Sequence, residues 1–314
     1  MTEEKTSEGY MQKDRVGKTL EAYVDVFTDI SNNLLFKKQL IHEEQLRDGP
    51  TSSIYKAADG ATYREQHRDT AKYVDGANAK ILLVGMENQS AVDSDMAIRM
   101  MGYDYASYRS QIDQGSHRYP VISGVLYFGD KKWNSAKSLK ELLELPEEFQ
   151  EVFSDYHINL IDVPRLSKEE RDKLTSDFRV VADFFVNKDQ EDYVPDDKPL
   201  DHPEAVCDLI QVFTGDDRAV QFTEDMIASA RKERGEVRMC DLFDRLEAKG
   251  EARGEARGEV KGKAELIIDI LTEYGDVSDS LKDTIMNQTD VTILNTWGKM
   301  AAKVNSIEEF EKAI

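Results

Sequence analysis

Apolar residues at Leu20, Tyr23, Val24, Phe27, Ile30, Leu34 and Leu35 recur three and four positions apart, which predicts a helix over residues 18–35. From residue 61 the pattern changes. Residues 62–66, 68–74 and 80–87 are short strand-like runs, the last two divided by the turn signal Asp75-Gly76. Ile81-Leu82-Leu83-Val84 is a continuous apolar run, as expected of a strand covered on both faces. A helix is predicted over 94–112, with Met96, Met100, Tyr103 and Tyr108 along it. Strands follow at 121–128, opened by Pro120, and at 157–163. Strands alternating with helices define a layered α/β domain.

Beyond residue 168 the pattern is largely helical. Residues 190–201 are acidic and hold two prolines, so a linker or exposed loop is expected there. A four-residue repeat follows: Lys249-Gly-Glu-Ala, Arg253-Gly-Glu-Ala, Arg257-Gly-Glu-Val, Lys261-Gly-Lys-Ala. On a helix these Gly and Ala rows lie on opposite sides, with Arg and Glu rows between them. Each glycine weakens such a helix by about 0.8–1 kcal/mol relative to alanine, and Glu251, Glu255 and Glu259 repel at i,i+4. A solvated connector is one reading; a close-packing partner surface, giving a homo-oligomer through the C-terminal helices, is the other. Residues 265–314 read as two or three short helices with Leu266, Ile267, Ile270, Leu271 and Trp297 as core candidates.

The 314 residues suffice for one domain with an extension or for two small ones. No stretch approaches the ~20 apolar residues that cross a bilayer, so no membrane partner is expected. The start, Met1-Thr2-Glu3-Glu4-Lys5, is polar and unlike a signal peptide. Cys207 and Cys240 form neither a disulfide framework nor a zinc-ligand spacing. A reducing cytoplasm is the expected setting.

The net charge is −21, unlike the basic footprint of most DNA-binding proteins. It is unevenly distributed. Residues 1–120 hold 15 Lys/Arg against 19 Asp/Glu, and residues 121–314 hold 26 against 43. A metal ion bound in the nearly balanced first part would tilt its local field positive.

That part carries the candidate chemistry. Asp69 stands near the start of one predicted strand, and Glu87-Asn88-Gln89 ends the next. Residues i and i+2 of a strand share a face, so Glu87 and Gln89 point the same way. A hairpin between the two strands brings Asp69 beside Glu87. Two adjacent carboxylates repel, and a hard divalent cation such as Mg²⁺ resolves this by taking both as ligands. Such an ion lowers the pKa of bound water and neutralises charge developing on a leaving oxygen. Without it, Asp69 is a turn acid and Glu87 a solvent-facing strand end. Arg99 either reaches a scissile phosphate in bidentate fashion or pairs with Asp95 and rests on Tyr103. Arg64, Arg68, Lys72 and Arg99 are expected to flank the site. The histidines are scattered, and no Gly-rich phosphate loop occurs.

Over roughly residues 13–190 the sequence resembles the bacterial Rpn/YhgA-like putative transposases. The likeness is carried by Lys13-Asp14, Val24-Asp25-Val26-Phe27-Thr28-Asp29, Tyr63-Arg64 with Arg68-Asp69, and Gly85-Met86-Glu87-Asn88-Gln89-Ser90. It continues through Met96-Ala97-Ile98-Arg99-Met100-Met101-Gly102-Tyr103-Asp104, Tyr119-Pro120-Val121-Ile122, Leu126-Tyr127-Phe128-Gly129 with Trp133, and Asp155 to Ile161, and the Gly-Glu-Ala-Arg repeat adds to it. The resemblance implies a restriction-endonuclease-like core, a central mixed sheet flanked by helices, of the PD-(D/E)xK type. It implies metal-dependent cleavage of DNA, in recombination, mobile-element or phage-defence biology. It places catalytic roles on Asp69, Glu87 and Gln89, and metal ligation on Asp69, Glu87, the carbonyl of Asn88 and, from the first helix, Asp25. Gln89 stands where the wider superfamily has lysine, so it can orient water but brings no positive charge. Domains are expected at 13–190, 191–246 and 247–314, the last two forming a helical C-terminal extension.

A rival of another class is a catalytically inert relic of the same fold that acts as a protein-interaction module. The charge, the Gln at position 89 and the helical last third favour it. A true transposase is a third possibility, without support from a DDE-type triad or a site-specific DNA-binding motif.

Overall fold

The computed structural model describes residues 20–56, 63–76, 80–115, 117–143, 145–190, 193–214 and 224–314. Lys13, Asp14, Lys18 and the expected domain start at residue 13 lie outside the described residues. The chain divides into two compact units, the first reaching Phe243 and the second spanning Asp244–Ile314.

The first unit is built on an open, mixed sheet of five strands. They are β1 (Leu46–Asp48), β4 (Thr70–Asp75), β5 (Lys80–Gln89), β6 (Val121–Tyr127) and β7 (Asn159–Asp162), in that spatial order. A separate antiparallel pair joins β2 (Ser52–Lys56) to β3 (Tyr63–His67). β1 and β2 were not among the predicted strands. β1–β4 and β4–β5 are antiparallel, whereas β5–β6 and β6–β7 are parallel. A parallel pair requires a crossover, supplied between β5 and β6 by helix α2 (Met96–Asp113). The α/β architecture expected from the alternating pattern is the one found.

The central strands are covered on both faces, as the apolar run in β5 requires. The first helix, α1 (Val24–Ile30), continues into a π-helical turn at Ser31–Leu35. It covers one face, where Lys72 of β4 reaches over the ring of Phe27. The predicted helix is broken, however: Leu20 and Glu21 are helical, and the chain bends at Ala22-Tyr23 before α1 begins. Helix α2 covers the other face. Its Met96, Ala97, Met100 and Tyr103 join Val125 and Tyr127 of β6 and Trp133 in one buried cluster.

After β7, helix α3 (Phe178–Asn187) and helix α4 (Pro203–Thr214) close around Phe128, whose ring meets Phe178, Phe185 and Phe213. Between them Val194 and Asp197 are exposed, while an Arg179–Asp196 ion pair fastens the loop. Helix α5 (Glu224–Arg234) follows, then the long α6 (Met239–Thr272), which contains the whole Gly-Glu-Ala repeat.

Within the second unit α6 is joined by α7 (Asp279–Met286), α8 (Val291–Ala301) and α9 (Ile307–Glu311). Ser278, Asp290 and Ser306 cap the last three helices, each side chain accepting from backbone N–H groups of the first turn. Ile267, Leu271, Val277, Leu281, Ile285, Leu294 and Phe310 form the core, with Ile270 and Trp297 against it. Leu266 is exposed, because it falls on the outer side of α6.

Candidate metal centre

β4 and β5 pair antiparallel with Thr70 opposite Met86, a register that sets Asp69, one residue before β4, opposite Glu87. The carboxylate of Asp69 accepts a 2.6 Å hydrogen bond from the backbone N–H of Asn88. Gln89 lies on the same face as Glu87, its Nε2 3.4 Å from Glu87 Oε1. All four residues are buried, with Asp69 at 7%, Glu87 at 3%, Asn88 at 1% and Gln89 at 2% exposure. The sequence pattern and the structure therefore agree on which residues meet.

Helix α2 supplies the positive partner. Arg99 donates to Glu87 Oε1 at 2.6 Å and to Asp93 at 2.7 Å, not to Asp95. The Tyr103 hydroxyl stands 3.3 Å from the same Glu87 oxygen and from Arg99. Burial opposes the charge of Arg99, but Asp93, Tyr103 and Glu87 outweigh it and hold the guanidinium above the usual arginine range. Burial and the Glu87 charge push the Tyr103 hydroxyl up to about 12. Arg99 is charged and Tyr103 neutral at any physiological pH.

A third acid was missed from sequence. Glu21, 1% exposed, lies beside Thr70 and Asn88. Burial first, then the charges of Asp69 and Glu87, push its carboxyl up to about 8, against the opposing pull of Thr70 and Asn88. Neither of its oxygens completes a well-formed hydrogen bond among the described residues, nor does the Asn88 carboxamide or the Thr70 hydroxyl. Buried polar atoms left in this way are costly unless a ligand or water meets them.

Asp25, expected from the resemblance to face the metal, turns elsewhere. Its carboxylate lies 3.0 Å from Nε2 of His202, whose ring stacks on Tyr23. Asp29 accepts from the backbone N–H groups of Thr175 and Ser176. The bend at Ala22-Tyr23 breaks the i,i+4 phase that would have grouped Glu21 with Asp25, so only Glu21 reaches the centre. The expected basic flank is also changed. Arg68 and Lys72 are buried, the first paired with Asp104 at 3.0 Å and the second with Asp48 at 2.8 Å. The side chain of Arg64 lies outside the described residues.

The fit to a metal ion rests on donor chemistry. Two carboxylates and a peptide carbonyl are hard oxygen donors, suited to Mg²⁺, and Glu21 sets a third buried acid beside them. The side chains stand otherwise engaged. Among the described residues no group of three or more His, Cys, Asp or Glu converges closely enough to hold a metal. Glu87 is turned to Arg99 and Asp69 to the Asn88 N–H. A metal ion at this place would compete with Arg99 for Glu87.

Fold and site define an α/β protein with a buried acidic centre at the C-terminal end of a parallel strand. Residues 63–193 match the family described as putative transposase, YhgA-like, the one the sequence resembles. The match takes in Asp69, Glu87, Gln89 and Arg99 but leaves out Glu21 and the second unit. No curated protein matches the chain, and no solved structure does. Among the described residues no helix is long and apolar enough to cross a membrane.

Proposed function

We propose that the chain is a divalent-metal-dependent endonuclease that hydrolyses phosphodiester bonds in DNA on a restriction-endonuclease-like core. One observation carries the reading: Asp69 and Glu87 are buried opposite each other at the end of β5, and the buried Glu21 beside them has its carboxyl pushed up to about 8, first by burial and then by their charges. Buried carboxylates gathered against their repulsion mark functional sites more often than structural ones. The match to a family described as a putative transposase supports DNA as the substrate class.

In this reading Asp69 and Glu87, with the carbonyl of Asn88, would hold Mg²⁺, which would supply an activated water and charge neutralisation at the scissile phosphate. Gln89, sharing the face of Glu87, orients the attacking water through its carboxamide. Arg99, released from Glu87, turns its guanidinium to a phosphate oxygen, for which its planar fork is suited. Tyr103 stays protonated and keeps a donor at the Glu87 carboxylate. With no lysine at position 89, Arg99 is the cation that pairs with Glu87.

The inert interaction module is a second reading because Glu87 Oε1 is already engaged by Arg99 and Tyr103. A plasmid-nicking assay with and without Mg²⁺ separates the two. Cleavage that needs the metal and disappears with Asp69→Ala supports the nuclease. No cleavage under any divalent cation, from a protein shown to be folded, refutes it.

A further inference from the structure

Helix α2 is apolar on two sides. Met96, Ala97, Met100 and Tyr103 face the sheet and are buried. The opposite side carries Ile98, Met101, Tyr105, Tyr108 and Ile112, whose exposures run from 39% for Met101 to 65% for Tyr105. Their spacing of three, four, three and four residues aligns all five in one stripe about 21 Å long. Among the described residues this second apolar side is left half-exposed, beside polar positions such as Asp104 and Arg109.

We infer that the stripe is the face on which two copies of this chain associate, antiparallel, about a two-fold axis through Tyr105. The stripe is self-complementary. Read in reverse against itself, Ile98 meets Ile112, Met101 meets Tyr108, and Tyr105 meets Tyr105, so each pair matches in size and apolarity. An isologous contact needs that property, and two-fold dimers are the commonest closed assembly. Met101 against Tyr108 is also a favourable sulfur–aromatic pairing.

Charge and area agree. The charged residues beside the stripe, Arg109 and Asp113, already pair with each other at 3.2 Å. The contact is therefore locally neutral, and two copies can meet there in spite of the −21 carried by each. Nucleic acid would instead require unpaired cations along the stripe. Five half-exposed side chains of this size offer roughly 500 Å² per copy, and the polar rim of the helix would bring this towards the roughly 800 Å² per partner of a stable interface. Tyr108 is held in advance, its hydroxyl accepting from the Val121 N–H at 3.0 Å, which lowers the entropy lost on association.

The test is the mass of the full chain in solution by sedimentation across a wide concentration range, without metal or DNA, so that it stands apart from nuclease activity. A dimer is expected. Tyr105→Glu and Met101→Glu should each weaken it at least about tenfold while leaving the circular dichroism spectrum of the folded chain unchanged, since both side chains are exposed. Thiol crosslinking fixes the geometry. Tyr105→Cys should crosslink to itself; Ile98→Cys alone should not; Ile98→Cys together with Ile112→Cys should. A monomer at every concentration overturns the inference, as does a dimer indifferent to Tyr105→Glu. Self-crosslinking of Ile98→Cys alone would show a parallel pair and overturn the stated arrangement.

Discussion

The two units of the chain treat charge in opposite ways. In the second unit every buried core residue is apolar, from Ala264 and Ile267 to Phe310. In the first, Glu21, Arg68, Asp69, Lys72, Glu87, Asn88 and Gln89 are all buried, and all but Glu21 come from one stretch around β4 and β5. Burying charge is expensive unless it is paired. Buried acids elsewhere in the first unit, Asp29 and Asp177, are met by backbone N–H groups; the cluster around β5 is the one the proposed function turns on.

The largest effect should come from removing an acid at the centre. Asp69→Ala or Glu87→Ala should lower Mg²⁺-dependent nicking at least about a hundredfold, the scale of losing a preorganised electrostatic contact. Glu255→Ala, on the exposed surface of α6, should leave the rate unchanged. Equal rates in all three variants, from matched purifications, would erase the distinction between the units.

Glu21 sharpens the contrast through pH. Its carboxyl is pushed up to about 8 by burial and by the Asp69 charge, from an ordinary 4.5. Between those values the folded chain keeps a proton that the unfolded chain has released, so stability falls as pH rises through that window. The contribution is intact below the unfolded value and lost above the folded one. By linkage, Glu21→Gln should gain on the order of 5 kcal/mol over the native chain in alkaline solution with chelator, and nothing near pH 4. Urea melts at the two pH values check this. An equal gain at both would mean that the acid is not responsible.

Much of this could be read from the chain before its fold was known. The apolar run of β5, the Asp75-Gly76 turn and the D…ExQ spacing lead to the Asp69–Glu87 neighbours and the shared face of Gln89. Glu21 could not be read this way. It lies 48 positions before Asp69 in sequence, and the family resemblance gives the acid of the first helix as Asp25. The bend at Ala22-Tyr23 overrides the helical period predicted over 18–35, with Asp25 drawn to His202. Lys72 looks like a surface cation because long basic side chains usually are, and the alternation of a strand turns Arg68 to the face opposite Asp69, in a structural role; the burial of each depends on Asp48 and Asp104, respectively, partners remote in sequence.

Arg68 provides the next test. Its guanidinium lies across Gly85, where a Cβ would collide with it, and pairs with Asp104, which also receives the Ser123 and Tyr156 hydroxyls. Breaking a buried ion pair from one side leaves an uncompensated charge. Arg68→Ala should therefore cost about 3–5 kcal/mol, whereas Lys261→Ala, which removes an exposed pair with Glu265 in α6, should cost at most about 0.5 kcal/mol. Thermal melts of the two variants side by side decide whether buried charge in the first unit is as consequential as proposed.

The smallest effect tests the helical unit itself. A Cβ built on Gly250, Gly254, Gly258 or Gly262 meets no atom of the described residues within 4 Å. Nothing in the fold of this chain therefore requires glycine there, and helix propensity alone should govern. If the repeat is a solvated connector, Gly254→Ala should stabilise α6 by up to about 1 kcal/mol, seen as added helix by circular dichroism and a small rise in melting temperature. If the glycine row lets a second backbone approach, the added methyl should weaken association in sedimentation while still raising the helix content of the isolated chain. The two outcomes differ in sign on the assembly and agree on the helix, so a single variant, measured both ways, tells a spacer from a contact surface.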